Sequence, residues 1–325
     1  MDVEFDLIAR IRERAGKRDD VLLGIGDDAA ILRVPVGHDL VVSTDTLNIG
    51  VHFPPETAPS DIGWKAFAVN LSDLAAMGAT PAWCTLNLTM PEANAIWLDA
   101  FLDGFLALAA QHRVALVGGD TTRGPLSITV TVHGFVPRDA AMRRSGAQVG
   151  DDVWVSGTLG DAAAALRQWR DVSVANSILR QRLDRPTPRI GLGVFLRGIA
   201  NACIDVSDGL LADIGHILDA SRVGAELELA SLPTSLELAN AFDAAMRIAL
   251  QLGGGDDYEL CFTAPPARAH EVLRAGRRSR VAVARIGRVE RDPGLRLRDA
   301  AGSVSEARRT GYRHFDETCE RGDSA

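Results

Sequence analysis

Aspartates recur along this chain in short segments rich in glycine, serine and threonine. There are five such segments: Gly24-Ile-Gly-Asp-Asp28, Ser43-Thr-Asp45, Asn70-Leu-Ser-Asp73, Gly118-Gly-Asp120 and Asp205-Val-Ser-Asp208. Carboxylates repel one another unless cations lie between them, and oxygen ligands without histidine or cysteine suit hard ions such as Mg²⁺. The pattern therefore indicates Mg²⁺-nucleotide chemistry.

Composition excludes several classes of protein. A chain of 325 residues with 46% hydrophobic content can bury a core, and its length favours two domains. The net charge of -8 argues against electrostatic binding of nucleic acid. The four cysteines lack a CxxC spacing, so they are interpreted as reduced thiols rather than zinc ligands: Cys84, Cys203, Cys261 and Cys319.

The first residues do not resemble a signal peptide, because acidic side chains stand where one would carry bases. No apolar run reaches about 18 residues. We therefore expect a cytoplasmic protein that neither crosses nor binds a membrane.

Apolar spacing predicts an α+β first half and a second strand-turn-helix series. A Pro/Arg/Gly-containing segment, 136–150, is a plausible boundary, and we predict domains at 1–137 and 138–325. A helix is predicted from Ser60-Asp61, which can cap it, to about Met77. Further strands are predicted near 30–34, 40–43, 83–89, 114–117, 127–133, 152–156, 203–206, 225–229, 258–262 and 281–286, before a charged tail.

The predicted elements give the aspartates a context. Asp45, Asp120 and Asp205 are expected at or just after strand ends. Asp73 falls within the first long helix among small residues, where an unpaired buried carboxylate would be costly. A metal ion would satisfy it.

The segment Gly24–Ala29 formally matches a G-x-G-x-x-A dinucleotide pattern. A Rossmann turn must open a helix, but the following residues look like a strand, and two aspartates in the turn would repel phosphate unless a metal intervened. A plain turn and a metal-phosphate turn both stay open, and the second is favoured.

A P-loop is excluded because neither lysine, Lys17 or Lys65, is followed by Ser or Thr. If the chain handles ATP, metal ions must neutralise much of the phosphate charge, with arginines such as Arg144 helping.

Ser207 and Asp208 do not form a nucleophile elbow, because Asp205 breaks the G-x-S-x-G frame. A helix N-cap formed by Ser207 or Asp208 explains the segment equally well and is compatible with phosphate or metal binding. His52 and His133 are isolated in sequence, which is more typical of structural histidines.

Taken in order, these motifs resemble the bacterial thiamine-monophosphate kinase family. The similarity also covers Lys65-Ala-Phe-Ala-Val-Asn-Leu-Ser-Asp, Gly-Gly-Asp-Thr-Thr-Arg-Gly-Pro, Arg144-Ser-Gly and Asp257-Tyr-Glu-Leu, and runs from about residue 5 to residue 315. The family belongs to the aminoimidazole-ribonucleotide synthetase-like superfamily. The resemblance implies an N-terminal α+β domain that dimerises through its strands and a C-terminal α/β domain.

The resemblance also implies an activity: ATP-dependent phosphorylation of thiamine monophosphate to thiamine diphosphate with several Mg²⁺ ions. By motif, the metal ligands would be Asp28, Ser43, Thr44, Asp45, Asp73, Asp120, Asp205 and Asp208. Three of these, Asp45, Asp120 and Asp205, are the candidate catalytic residues. The residues along the ATP phosphates would be Gly119, Asp120, Arg144 and Ser207, and the residues at the thiamine substrate would be His52, Asp256 and Tyr312.

One position departs from the family pattern. Asp256 stands where the family has a glutamate that contacts the substrate, and its side chain is one methylene shorter. Tyr312 matches an aromatic position that would stack on the substrate ring.

The acceptor is already an anionic phosphate, so we infer direct in-line transfer without a strong general base. The rival interpretations are another ATP-using member of the superfamily, such as a selenophosphate or aminoimidazole-ribonucleotide synthetase, and a silent nucleotide sensor. No cysteine precedes Cys84, which argues against the selenophosphate enzyme.

Overall fold

The computed structural model describes residues 3–172, 176–307 and 311–312. Its first half contains a small sheet and three helices. The strands are β1 (Val21–Leu23), β2 (Ile31–Leu32), β3 (His38–Asn48), β4 (Thr80–Met90), β5 (Ala115–Arg123) and β6 (Ser127–Pro137). The helices are α1 (Val3–Arg14), α2 (Pro59–Ala76) and α3 (Ala95–Gln111).

Strands β3, β6, β4 and β5 form one sheet in that order, with β3 and β5 at its edges. Only β4 and β5 are parallel within it. Strands β1 and β2 pair with each other in antiparallel fashion, so the Gly24–Ala29 turn joins two strands and opens no helix. This confirms that the segment is not a Rossmann turn.

Helix α2 is buried along nearly its whole length. It packs closely on α3. A Cβ at Gly63 would lie 2.0 Å from the Phe101 carbonyl oxygen, so this contact requires glycine at position 63. The predicted cap at Ser60-Asp61 is wrong: the helix begins after Ala58, which makes no side-chain cap, and Pro59 supplies the pre-set backbone of its first turn.

The second half contains a mixed sheet covered by helices. Its strands are β7 (Asp152–Ser156), β8 (Ala202–Val206), β9 (Gly224–Glu228), β10 (Glu259–Ala264), β11 (Val283–Glu290), β12 (Gly294–Arg298) and β13 (Val304–Glu306). Its helices are α4 (Asp161–Val172), α5 (Ser177–Asp184), α6 (Ile190–Leu196), α7 (Leu210–Ser221), α8 (Leu236–Ala241), α9 (Ala244–Gly253) and α10 (Ala269–Ser279). The strand order is β13-β12-β9-β11-β7-β10-β8.

The two halves share a hydrophobic core. Phe67 of α2 belongs to the same buried cluster as Leu192 of α6 and Phe262 of β10. Helix α6 approaches α2 so closely that a Cβ at Gly193 would lie 2.0 Å from the Ala75 carbonyl oxygen. The sheets occupy 38–137 and 152–306, and the domain division at 137/138 stays a prediction.

Three of the four cysteines, Cys84, Cys203 and Cys261, are free and buried, as predicted. Cys319 lies outside the described residues. Within the described ranges, no helix combines the length and the apolar character needed to cross a bilayer.

Candidate active site

A cavity of about 760 Å³ opens between the two halves of the chain. Strand β3 and helix α2 line one side, and α4, α9 and the loops after β8 and before β10 line the other. Nine predicted site residues line it: Thr44, Asp45, His52, Asp73, Asp205, Ser207, Asp208, Asp256 and Tyr312. The cavity therefore gathers residues that are far apart in sequence.

Strand alternation directs Asp45 toward α2. Along β3 the odd-numbered residues from Val41 to Leu47 are at least partly covered and the even-numbered ones are exposed. The Asp45 amide donates to Asn70 Oδ1 at 3.0 Å, which joins β3 to α2. Contrary to the prediction, Asp45 lies within its strand rather than at the end.

Asp73 faces β3 from the last turns of α2. Ser43 Oγ donates to Asp73 Oδ2 at 2.6 Å. Ser43, another predicted metal ligand, therefore lies beside the cavity but is not among the residues that line it. Asp45 and Asp73 also lie close enough for each carboxyl group to shift the pKa of the other. Arg144 is exposed and is not among the residues that line the cavity, although its positive charge acts to lower the pKa of Asp73.

Asp205 belongs to β8 and is almost completely buried. The loop that follows is held by Asp213, a residue that the sequence interpretation missed. Asp213 Oδ2 accepts the backbone amides of Ser207, Asp208 and Gly209 at 3.0 to 3.1 Å. The predicted N-cap by Ser207 or Asp208 is therefore wrong. Helix α7 begins after Gly209, so the residue at the N-cap position has no side chain that could cap the helix.

The clustered carboxyl groups resist ionisation. Burial, followed by the charge of Asp73, raises the pKa of Asp45 to about 7. Burial also raises the pKa of Asp73, although the Ser43 hydrogen bond and Arg144 oppose the shift. Burial and the charge of Asp73 raise the pKa of Asp205 well above its ordinary value. The cluster would gain from a cation that neutralises it.

Asp120 lies far from this cluster. Thr46, Thr129, Asn87 and Asp120 stand opposite one another across β3, β6, β4 and β5, so these four side chains share the exposed face of the sheet. Asp45 precedes Thr46 and points to the other face. Because β3 and β5 are opposite edges, three strand spacings, about 14 Å, separate the two positions within the sheet.

Gly119 and Asp28 also lie outside the cavity lining. Gly119 precedes Asp120 on β5, and its positive φ of 146° accompanies a backbone that leaves no room for a Cβ beside the Leu86 carbonyl. Asp28 is exposed in the turn between β1 and β2. Asp120 was predicted at a strand end and lies inside β5.

The predicted substrate residues line the same cavity. His52 Nδ1 accepts the Asn48 amide at 3.0 Å, so Nε2 carries the proton of the neutral ring. The Tyr258 hydroxyl donates to Asp256 Oδ1 at 3.0 Å. Tyr312 is about half exposed, and its amide donates to the Asp208 carbonyl at 3.1 Å.

Two arginines that the sequence interpretation did not single out, Arg167 and Arg170 of α4, also line the cavity. Arg167 pairs with Asp171 at 3.0 Å. Only the placement of α4 beside the cavity marks these two among the chain's many arginines.

A buried network of ion pairs lies next to Tyr258, which lines the cavity. Glu259 is fully buried and accepts from Arg182 at 2.8 Å, from Arg189 at 2.6 Å and from Ser156 Oγ at 2.5 Å. Burial opposes ionisation of Glu259, but the charges of Arg189 and Arg182 outweigh it and lower the pKa. The network fixes the start of β10, directly after Tyr258.

Comparison with known proteins agrees with this geometry. The model for the N-terminal domain of AIR synthase related proteins matches residues 26–136, and the model for their C-terminal domain matches residues 148–300. The thiamine-monophosphate kinase of Escherichia coli strain K12 is 50% identical over 269 residues, which are 81% of this chain and 82% of that protein. The chain belongs to the thiamine-monophosphate kinase family.

Solved structures of the thiamine-monophosphate kinase family share the fold. The enzyme from Stenotrophomonas maltophilia K279a superposes with a TM-score of 0.86 at 53% identity, covering 93% of this chain and 98% of that one. A second structure, AaThiL complexed with AMPPCP and TMP, has a TM-score of 0.76 at 33% identity and covers 96% of each chain. The family resemblance and the two-domain fold predicted from the sequence are therefore confirmed.

Proposed function

We propose that this chain transfers the γ-phosphoryl group of ATP to thiamine monophosphate, producing thiamine diphosphate. One observation carries the proposal: a single cavity joins the carboxylates around Asp45 to the substrate residues His52 and Asp256. Its relatives are thiamine-monophosphate kinases, and AaThiL was solved in complex with AMPPCP and TMP. The cavity thus has an end suited to metal-bound phosphates and an end suited to an organic ring.

The donors at the acidic end fit Mg²⁺. Among the described residues, no three His, Cys, Asp or Glu side chains form a compact metal site by themselves. Mg²⁺ commonly binds through one or two carboxylates and completes its coordination with water and substrate phosphates. We propose as ligands the set implied by the family resemblance: Asp28, Ser43, Thr44, Asp45, Asp73, Asp120, Asp205 and Asp208. Bound Mg²⁺ would neutralise the charge of the two phosphate groups that must meet.

The chain's own groups position the reactants. Arg144, whose charge acts on Asp73, would contact the ATP phosphates, and the Asp213 carboxyl group holds the backbone of the Ser207-Asp208-Gly209 loop beside the cavity. In the transfer, a phosphate oxygen of thiamine monophosphate forms a bond to the γ-phosphorus, and the bond from that phosphorus to the bridging oxygen breaks to release ADP. No proton has to leave an already anionic nucleophile, so the site needs no general base.

We propose that the chain acts as a homodimer in which each site uses both subunits. Asp45 and Asp120 lie on opposite faces and opposite edges of one sheet, so one chain does not bring both to the same phosphates. The face that carries Asp120 also exposes Leu40 and Val42 of β3. A second copy packed on this face would cover these side chains and bring its Asp120 toward the first chain's site.

The deciding experiment is to incubate the protein with ATP, Mg²⁺ and thiamine monophosphate and to follow thiamine diphosphate by chromatography, with free thiamine as the parallel acceptor. Formation of thiamine diphosphate from the monophosphate alone supports the proposal. If the protein binds both ligands but forms no thiamine diphosphate, the proposed activity fails and only the sensor interpretation is left. A donor with a chiral γ-thiophosphate group also reveals the route of transfer, because a single in-line displacement inverts the configuration at phosphorus.

A further inference from the structure

Lys65 is a buried lysine that the proposed reaction does not yet use. Only two of the chain's 35 Lys and Arg residues are lysines, and the other, Lys17, is exposed. Lys65 lies on α2 and is 1% exposed. An ammonium group is costly to remove from water unless it is paired and hydrogen-bonded, so its partners carry information about its role.

Both partners of Lys65 belong to the predicted substrate end of the cavity. Its Nζ donates to the His52 carbonyl oxygen at 2.9 Å and lies 3.2 Å from Asp256 Oδ2. His52 follows β3 in the first half of the chain, and Asp256 precedes β10 in the second half. Lys65 therefore bridges the two walls that face each other across the cavity.

The Asp256 carboxylate is held at both oxygens. Lys65 binds Oδ2, and the Tyr258 hydroxyl donates to Oδ1 at 3.0 Å. Burial, with the charge of Asp256 next, raises the pKa of Tyr258 above its ordinary value, so the hydroxyl keeps its proton and stays a donor. A carboxylate oriented in this way presents its remaining lone pairs to a ligand N–H or O–H group.

The backbone around Asp256 is constrained as well. Asp256 and Tyr258 have φ values of 67° and 51°, which are unusual for residues other than glycine. The Asp256 amide donates to the Ser207 carbonyl and the Tyr258 amide to the Val206 carbonyl, both at 2.8 Å. The segment is thereby pinned to the loop after β8, and Lys65 links it to His52.

We propose that Lys65 is a positioning residue that sets the distance between His52 and Asp256 and so determines how the ring of thiamine monophosphate is held. The inference rests on the proposed function for the identity of that ligand. A compact ammonium with three donors fits between a carbonyl and a carboxylate, whereas the wide planar head of arginine would push the walls apart. The ligand group that meets Asp256 must be a hydrogen-bond donor, such as an amino group on a heteroaromatic ring.

The test compares Lys65→Met, which keeps the length of the side chain, with Lys17→Met, which removes the same charge from an exposed site. We expect Lys65→Met to raise the KM for thiamine monophosphate at least about tenfold and to change the KM for ATP less than about twofold. Lys17→Met should match the wild type in both. A merely structural role would lower kcat and the melting temperature through loss of active protein and would leave both KM values unchanged.

Two further variants keep the proposal open to refutation. If Lys65→Met does not fold, Lys65→Arg, which retains the charge, is compared with the wild type by the same KM measurements. The double variant Lys65→Met/Asp256→Asn tests the pair itself, because the two single effects on the KM for thiamine monophosphate should be strongly non-additive. An unchanged KM in a folded Lys65 variant, or additive effects, would overturn the proposal.

Direct binding separates this inference from the proposed function. Calorimetric titration with thiamine monophosphate alone requires no turnover. Binding by the wild type that weakens in Lys65→Met supports the positioning role even if no thiamine diphosphate is ever formed. Turnover by the wild type together with equal affinities in the two proteins would contradict the role of Lys65 and leave the kinase proposal intact.

Discussion

The carboxyl groups of Asp45 and Asp73 lie so close across the gap between β3 and α2 that each shifts the pKa of the other. The pair retains a proton because burial, and then the charge of Asp73, raises the pKa of Asp45 from 3.8 to about 7. The folded chain therefore binds more protons than the unfolded chain between these two values. The stability that this group contributes is complete below the lower value and is lost as the pH rises through about 7.

We thus predict that the melting temperature in excess chelator falls between about pH 5 and about pH 8, and that Mg²⁺ raises it more at the higher pH, where the ligands are ionised. Differential scanning fluorimetry across buffers measures both effects. Asp45→Asn, which cannot lose a proton, should flatten the decline. A melting temperature that rises over this range would show that the carboxylate cluster does not control stability.

We predict that turnover requires a divalent cation. The cavity lacks a P-loop lysine and presents Asp45, Asp73, Asp205 and Asp208 to the substrates, so two polyanions cannot approach without neutralisation. Excess chelator should abolish formation of thiamine diphosphate, and added Mg²⁺ should restore it. Full activity in the chelator would refute the metal proposal.

The positions of Asp45 and Asp120 predict intersubunit complementation. Asp45→Asn and Asp120→Asn should each reduce turnover by orders of magnitude, and neither should melt below the wild-type temperature at neutral pH, because both charges serve ligands rather than packing. A mixture of equal amounts, after subunit exchange, should recover about a quarter of wild-type activity, since half the dimers are mixed and each has one complete site of two.

Two kinds of preparation control that experiment: each variant exchanged with itself, and Asp45→Asn mixed with Asp73→Asn, which lies on the same wall of the cavity. Neither should recover activity. Sedimentation at micromolar concentration gives the mass independently. A monomeric mass, or no recovery in a mixture shown to contain mixed dimers, would place the whole site in one chain.

Asp213 provides a prediction about the loop after β8. Its Oδ2 accepts three amides although burial, and then the charge of Asp208, raises its pKa to about 7, and Asp213→Asn weakens this acceptor at a cost of about 1–3 kcal/mol. We expect a lower kcat and a melting temperature reduced by a few degrees, measured by steady-state kinetics and scanning fluorimetry. Asp292→Asn, at an exposed turn, removes an equal charge and should change neither. A wild-type kcat in Asp213→Asn would show that the loop keeps its conformation without the Asp213 carboxyl group.

Local patterns predicted much of the fold. Helix α2 was expected from about 60 to 77 and spans Pro59–Ala76, because its apolar residues repeat with the helical period. The strands β12 and β13 were missed and assigned to a charged tail. They lie at one edge of the large sheet and are short: in β12 Leu295 and Leu297 alternate with arginines over only five residues, and β13 has three exposed residues.

The site was predicted less completely because its geometry depends on long-range contacts. Asp45, which its motif marks as a metal ligand, lines the cavity, but only strand pairing shows that Asp120 lies at the opposite edge of the sheet. Lys65 was noted as a lysine that fails the P-loop pattern, and sequence alone does not show that the ammonium meets Asp256. The carboxylate of Asp213 stands within the first turn of α7, where a search for groups that satisfy the preceding amides could have found it.

The scarcity of lysine also has a practical consequence. With the ammonium of Lys65 buried and engaged, Lys17 is the only exposed lysine side chain among the described residues. An amine-reactive dye applied to the native protein should therefore attach at Lys17, between α1 and β1, and at the terminal amine. Donor-labelled and acceptor-labelled batches would then report subunit exchange by energy transfer, without any cysteine having to be introduced.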